Sequence, residues 1–246
     1  MKRALETSFQ ELSGTVAATI GIAVAPVGET SVASFGTWST GVAWSTIKVP
    51  LAIATLRAGV GSGDLVAKTI TQSDNAAAEE LWSQLGDPAE AARKVQSVIE
   101  DAGDTTTVVE SRRLRPGFTA FGQTQWSLVP QAQFAARLPC IPDASGIVDL
   151  MRHLVGAQCW GLAVNGAAAK GGWGPGEVGG SYLVRQLGIV STGSAQLGVA
   201  LAAEAGDGTF DTGVDVLNRM SQWLQSHVSQ LSEESRAGSG HSSAQY

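Results

Sequence analysis

Strand-like segments lie near both ends of this chain, and helix-forming sequence fills the long stretch between them. Strands are predicted over four segments, residues 15–25, 31–38, 182–192 and 196–204. Helices are predicted over residues 5–13, over most of 43–165 apart from a loop around Arg115, and over 211–228. Such an order favours one sheet built from both termini, with a helical part inserted between its strands. The predicted fold class is therefore α+β, with a cleft between the two parts.

The chain is long enough for a single domain with a large core. Its 246 residues are 43% hydrophobic and 15% charged, which is typical of a globular protein. We expect one domain over residues 1–231, with a sheet subdomain over about 1–42 and 163–231 and a helical subdomain over about 43–162. The polar, Gly- and Ser-rich segment 232–246 is expected to be a disordered tail.

The charge and the lengths of the apolar runs exclude two classes of partner. A net charge of −6, without a basic patch, argues against nucleic-acid binding. No apolar run reaches the roughly 18 residues needed to span a membrane. Residues 1–6 contain no apolar signal core, so the protein is either cytoplasmic or has an export segment outside this sequence.

A serine and a lysine stand three residues apart where the apolar segment 43–58 begins. Residues at i and i+3 share one face of a helix, so we expect the Lys48 amine within hydrogen-bond reach of the Ser45 hydroxyl. A lysine whose pKa is lowered by burial can take the serine proton, and free N–H groups at a helix start can stabilise an oxyanion. The S-x-x-K pattern alone is a weak signal, but no other lysine of this chain has a serine at that spacing.

Two further segments could belong to the same site. Ser73-Asp74-Asn75 precedes an alanine-rich helix, and any of these residue types could simply cap that helix. Lys170-Gly171-Gly172 lies before the strand at 182–192, and its glycines would let another backbone approach beside a positive charge. The alternative for this segment is a hairpin turn with a surface lysine.

Taken in order, S-T-I-K, S-D-N and K-G-G resemble the S-x-x-K, S-D-N and K-T-G motifs of the penicillin-recognising serine hydrolases. That family contains the class A β-lactamases and the D,D-peptidases. The resemblance covers nearly the whole chain and implies an antiparallel sheet flanked by helices, with a shortened all-helical subdomain. The implied catalytic residues are Ser45 as nucleophile, Lys48 as base, Ser73 as proton donor, Lys170 and the backbone N–H of Trp173. The implied substrate-binding residues are Asn75, Gly171 and Gly172.

Three departures from the family pattern affect the expected activity. Gly171 replaces a hydroxyl residue that helps the family bind a carboxylate, and only 28 residues separate Ser45 from Ser73. The family's deacylating glutamate lies in an E-x-x-x-N motif, whereas Glu110 is followed four residues later by Leu114. Glu110 is thus either a water-activating base or a solvated loop carboxylate. The second interpretation is favoured, because arginines surround this residue.

The two cysteines bear on the compartment. Cys140 and Cys159 could form a disulfide in an exported protein, or remain two free thiols. With no histidine cluster near them, a zinc site is not predicted, and no cofactor is expected. The family works at the cell envelope, so the resemblance implies an extracellular or envelope location, with a cytoplasmic one as the alternative.

The sequence therefore predicts a serine hydrolase that transfers an acyl group through a Ser45 ester. We expect a monomer acting on a small molecule or a cell-wall peptide-like substrate, with weak β-lactamase activity. A catalytically impaired binding or regulatory protein on the same fold stays open, and so does a cytoplasmic esterase.

Overall fold

The computed structural model describes residues 2–193 and 195–239. Its strands are β1 (Ala18–Pro26), β2 (Ala33–Gly36), β3 (Ala168–Pro175), β4 (Tyr182–Thr192) and β5 (Ala195–Ala205). Its α-helices are α1 (Lys2–Ser13), α2 (Lys48–Arg57), α3 (Gly63–Ala67), α4 (Asn75–Gln84), α5 (Pro88–Asp101), α6 (Leu128–Arg137), α7 (Ser145–Arg152) and α8 (Phe210–Ser239). None of the described helices is both long and apolar enough to span a membrane.

The five strands form one antiparallel sheet in the order β2-β1-β5-β4-β3, which joins strands from both ends of the chain. This confirms the predicted α+β class and the sheet made from both termini. The strand predicted over 182–192 is confirmed with the same limits as β4. Strand β3 lies at one edge, facing the helical part of the molecule.

The two faces of the sheet carry side chains of different size. In β1, Ile20, Ile22 and Val24 pack toward α1 and α8, whereas Ala23 and Ala25 pack toward α6. Alternate residues of a strand point to opposite faces, so this pattern fixes which helix covers which face. The alanine face lets α6 come close to the sheet. A side chain at Gly198 would lie 2.1 Å from the backbone nitrogen of Ala136.

The remaining helices pack around α2, whose residues are buried on nearly every side. Such an all-round apolar helix is typical of a core position. Helices α4, α5 and α7 enclose it. Because α2 begins three residues after Ser45, the serine stands just before this buried helix.

Two sequence-based boundaries differ from the structure. Helix α6 falls within the range 43–162 expected to form the helical subdomain, yet it packs on the sheet through Leu128 and Ala132. Helix α8 continues to Ser239, past Ser232 where the disordered tail is predicted to begin, and Ser232 is itself buried. Residues 240–246 of the predicted tail lie outside the described residues.

Candidate active site

The Ser45 turn is a short 3₁₀ helix, Trp44–Ile47, that runs straight into α2. Trp44 has φ of +48°, a left-handed conformation that costs a non-glycine residue roughly 1–3 kcal/mol. Packing holds it there, since the Trp44 ring lies against Gly174 and its centroid is 5.0 Å from that of Phe118. Strain of this kind persists only where the surrounding structure enforces it, so the turn before Ser45 is held in one geometry.

Strand β3 approaches the Ser45 turn closely at Gly172. A Cβ atom there would lie 2.7 Å from the backbone nitrogen of Ser45 and 2.9 Å from the Ala43 carbonyl oxygen. Only glycine fits such a contact. The close approach brings the Ser45 N–H beside the edge strand at Gly172 and Trp173, where the resemblance expects an oxyanion hole. The half-buried Ser45 hydroxyl has no hydrogen-bond partner among the described residues.

The Lys48 amine is buried and faces the segment 73–75. It donates to the Ser73 carbonyl oxygen at 2.6 Å and to Asn75 Oδ1 at 2.7 Å, with Ser73 Oγ at 3.4 Å. Burial lowers the pKa of Lys48 to about 7, although the charge of Asp74 partly opposes the shift. A hydrogen bond between Lys48 and Ser45, which we expected from their spacing, is absent from the described contacts. The carbonyl and amide oxygens of 73–75 take the amine's N–H groups instead.

The segment 73–75 owes its shape to an abrupt end of helix. A π-helical turn, Lys68–Gln72, ends at Ser73, which is left-handed with φ of +57°. Asp74 then caps α4 by accepting a hydrogen bond from Ala77 N at 2.8 Å. The capping interpretation is therefore right for Asp74, while Ser73 and Asn75 point their side chains at lysines.

Lys170 approaches Ser73 from the opposite side. Its amine is fully buried and donates to Ser73 Oγ at 2.8 Å and to the Gly171 carbonyl oxygen at 2.9 Å. Burial, with a smaller contribution from Lys48, holds the pKa of Lys170 well below its usual range. The surface-lysine alternative is wrong, because Lys170 is in the interior. The Ser73 hydroxyl thus lies between two buried amines.

Ser45, Ser73 and Asn75 line one pocket of about 190 Å³. Four of its nine lining residues are aromatic, and the full set is Trp44, Ser45, Ser73, Asn75, Phe118, Thr119, Trp173, Gly174 and Tyr182. Sequence analysis missed Phe118, Thr119 and Tyr182, and nothing in their local sequence marks them as pocket residues. These residues are far from the motifs along the chain, so only the folded structure shows that they line the pocket.

Gly171 leaves no room for the hydroxyl residue that the family carries there. A Cβ atom at Gly171 would lie 2.5 Å from two ring carbons of Trp160. The Trp160 ring is held in place by edge contacts with Trp173 and Phe210, at centroid distances of 6.0 and 6.1 Å. The indole therefore occupies the space that a side chain at 171 needs.

Glu110 lies apart from the pocket, whose lining does not include it. Its carboxylate accepts hydrogen bonds from Arg112 Nε at 3.0 Å and from the Arg112 backbone nitrogen at 2.8 Å. The hydrogen bond from Arg112 lowers the pKa of Glu110. The geometry agrees with a loop carboxylate, the interpretation that the sequence favoured.

The disulfide prediction is wrong. Cys140 and Cys159 are free and exposed. Cys140 ends a short 3₁₀ turn after α6, whereas Cys159 is turned toward its own loop, with its sulfur 3.5 Å from the carbonyl oxygens of Leu154 and Val155. An even cysteine count carries no information on distance, which is why the pairing failed.

A buried arginine beneath the site also escaped the sequence analysis. Arg185 is fully buried in β4 and donates to the carbonyl oxygens of Gly41 and Val42 at 2.9 and 3.0 Å. It also donates to Gln131 Oε1, while Gln131 Nε2 donates to Thr46 Oγ1 at 3.0 Å. This network ties the sheet to the segment that carries Ser45. A charged residue inside an otherwise apolar strand was the available signal.

No protein-family model matches the sequence, and neither does any curated protein sequence. Solved structures share its fold. The TLA-3 extended-spectrum β-lactamase has a TM-score of 0.76 at 12% identity, covering 93% of this chain and 99% of that one. A β-lactamase from Chitinophaga pinensis has a TM-score of 0.73 at 14% identity, covering 92% and 99%. PBP-A has a TM-score of 0.66 at 18% identity, covering 92% and 96%.

Proposed function

Because this chain has the fold of the β-lactamase-like serine hydrolases, we propose that it transfers acyl groups through an ester on Ser45. One observation carries the proposal. The amines of Lys48 and Lys170 converge on the hydroxyl of Ser73, which lines the same pocket as Ser45. Two amines buried side by side are costly to keep charged, so such a pair is typical of a functional site.

The base in this proposal is Lys48 in its neutral form. A neutral amine has two N–H groups, and the acceptors Ser73 O and Asn75 Oδ1 match that number. The remaining lone pair can take a proton from Ser45. A pKa of about 7 makes the neutral form abundant near neutral pH, where a general base works best.

The oxyanion would be held by the backbone N–H groups of Ser45 and Trp173, which the close contact at Gly172 supports. Ser73 would then return the proton to the leaving group. In this scheme Lys170 donates to Ser73 Oγ, which leaves the Ser73 hydroxyl proton free to be donated.

Release of the acyl group is the weak step of the proposed cycle. No carboxylate is among the residues that line the pocket, and Glu110 is engaged by Arg112. Without a base for water, the Ser45 ester should persist. We therefore propose that this chain turns over β-lactams slowly. Its substrates would be small molecules or cell-wall peptide-like compounds, and it would act as a monomer at the cell envelope.

A second candidate is a binding protein that has kept the fold and lost turnover. The absence of a described Lys48–Ser45 hydrogen bond and the blocked space at Gly171 favour it. This candidate predicts that Ser45 reacts with no acyl donor, whereas the hydrolase predicts an acyl-enzyme.

Hydrolysis of 4-nitrophenyl acetate distinguishes the two candidates. We expect the native chain to release a burst of 4-nitrophenol followed by slow turnover, and 4-nitrophenol release by Ser45→Ala to be at least a hundredfold slower. The control is Ser83→Ala, an exposed serine of α4 whose hydroxyl donates to the Glu80 carbonyl oxygen. Equal rates in Ser45→Ala and the native chain would refute the hydrolase proposal.

A further inference from the structure

Three arginines lie in the loop 111–118 beside the pocket, and two of them are neutralised. Arg112 pairs with Glu110 at 3.0 Å, and Arg113 pairs with Glu79 at 2.9 Å. Arg115 forms no ion pair with a carboxylate among the described residues. This loop therefore presents one uncompensated cation.

Buried contacts fix the main chain of Arg115. Gln123, which is 5% exposed, accepts a hydrogen bond from the Arg115 backbone nitrogen at 2.6 Å and donates to its carbonyl oxygen at 3.4 Å. Gln123 Nε2 also donates to the Thr119 carbonyl oxygen at 3.1 Å. A buried amide that binds both sides of one residue sets that residue's position, as a built site requires.

The side chain of Arg115 lies at the edge of the pocket. Its guanidinium carbon lies 5.9 Å from the centroid of the Trp44 ring, and Nη1 donates to the Pro175 carbonyl oxygen at 3.1 Å. Both contacts adjoin the pocket, since Trp44 lines it and Pro175 follows the lining residue Gly174. The nearby carboxylate of Glu177 accepts its hydrogen bond from Gln125. Most of the guanidinium's N–H donors are thus left for a ligand.

We infer that Arg115 is a specificity-determining residue that binds a carboxylate on the acyl part of the substrate. The inference rests on the proposed acyl transfer by Ser45. A planar guanidinium matches a carboxylate through paired hydrogen bonds, and the cation–π contact with Trp44 helps to orient it. The aromatic walls between Ser45 and Arg115 suit a methylene chain rather than a polar linker.

The strand spacing sets the length of that substrate. Pro175 lies two residues beyond Trp173 on β3, which is about 7 Å at the usual rise of a strand. The carboxylate bound by Arg115 would therefore be separated from the reacting carbonyl by a short aliphatic chain. It would also lie four residues along β3 from Gly171, in a different place from the carboxylate contact that the family motif supplies.

A matched pair of esters tests the inference. The mono-4-nitrophenyl ester of adipic acid carries a free carboxylate, and 4-nitrophenyl hexanoate has the same carbon count with a methyl end. After subtraction of spontaneous hydrolysis, we expect a higher kcat/KM for the adipate ester. Arg115→Gln should lower that value about 10- to 100-fold, as for loss of a charged hydrogen bond, and leave the hexanoate value within about twofold.

Arg112→Gln is the control, because it removes the same charge from the same loop without touching the pocket mouth. It should leave the ratio of the two kcat/KM values unchanged. Arg115→Lys should lower the ratio, because it keeps the charge and loses the planar fork. If Arg115→Gln fails to fold, the Arg115→Lys variant still tests whether Arg115 binds the carboxylate.

Several results would overturn the inference. These are an equal loss for both esters in Arg115→Gln, an equal change of ratio in Arg112→Gln, or an unchanged ratio in Arg115→Lys. Turnover that survives Ser45→Ala would instead defeat the proposed function itself. The two failures are therefore distinguishable.

Discussion

Replacing Gly171 with threonine would restore the family's K-T-G motif, and the structure predicts that it damages the protein. The new Cβ atom would lie 2.5 Å from two ring carbons of Trp160. That is about 1 Å inside ordinary carbon contact. The ring is 5% exposed and is held by Trp173 and Phe210, so it has no free space to enter.

The magnitude follows from two opposing effects. Overpacking costs about 1–3 kcal/mol, whereas threonine gains up to about 1 kcal/mol over glycine in a strand. We expect a net loss of about 1–2 kcal/mol in the free energy of unfolding. For a chain of this size, that loss lowers the Tm by roughly 2–8 °C.

Thermal unfolding of four proteins checks this reasoning as a double-mutant cycle. The proteins are the native chain, Gly171→Thr, Trp160→Leu and the double variant. Trp160→Leu alone should destabilise by leaving a cavity, but Gly171→Thr should add no further loss in that background. A Tm for Gly171→Thr at or above the native value would refute the account of why glycine stands there. An equal loss in both backgrounds would refute the role of Trp160.

Three further predictions concern the site and the cysteines. Since the Lys48 amine must be neutral to act as a base, the ester kcat/KM should rise with pH through about 7 and then level off. Asp74→Asn keeps the helix cap but removes the charge that raises the pKa of Lys48. The midpoint of this pH profile should therefore move to lower pH in the variant. An unchanged midpoint would contradict the assignment of Lys48 as the base. The kcat for penicillin should lie well below the roughly 1–10³ s⁻¹ of typical enzymes. Glu110→Gln should change the rate of ester hydrolysis by less than about threefold. A large loss of rate would show that Glu110 activates water after all. Iodoacetamide should modify both Cys140 and Cys159 in the folded, unreduced protein. Protection of both cysteines would instead indicate that they form a disulfide.

The sequence was sufficient for the fold because its information is local and periodic. Strands at both ends and apolar helices between them leave few ways to close one sheet, and β4 was found with its observed limits. The motif residues could also be identified from the sequence, since Ser73 and Lys170 are in contact as the resemblance implies. Each of these inferences depends on residues close together in the chain, or on their order.

The missed features depend on contacts between distant segments. The sequence near Gly171 does not indicate that Trp160 fills the space of a side chain there. Likewise, the ion pairs of Arg112 with Glu110 and of Arg113 with Glu79, which leave Arg115 without a carboxylate partner among the described residues, form only in the folded chain. The orientation of Lys48 toward 73–75 rather than Ser45 follows from the left-handed backbone of Ser73, which helical spacing cannot foresee.

The central claim is that Ser45 is the nucleophile, and a covalent label tests it most directly. Intact-protein mass spectrometry after treatment with a fluorophosphonate should show one added phosphonyl group on the native chain, located on Ser45 by peptide mapping. Ser45→Ala should remain unlabelled, and Lys48→Met should react much more slowly because the serine has lost its base. Labelling of Ser45→Ala at the native rate, or a native chain that takes up no label, would contradict the account.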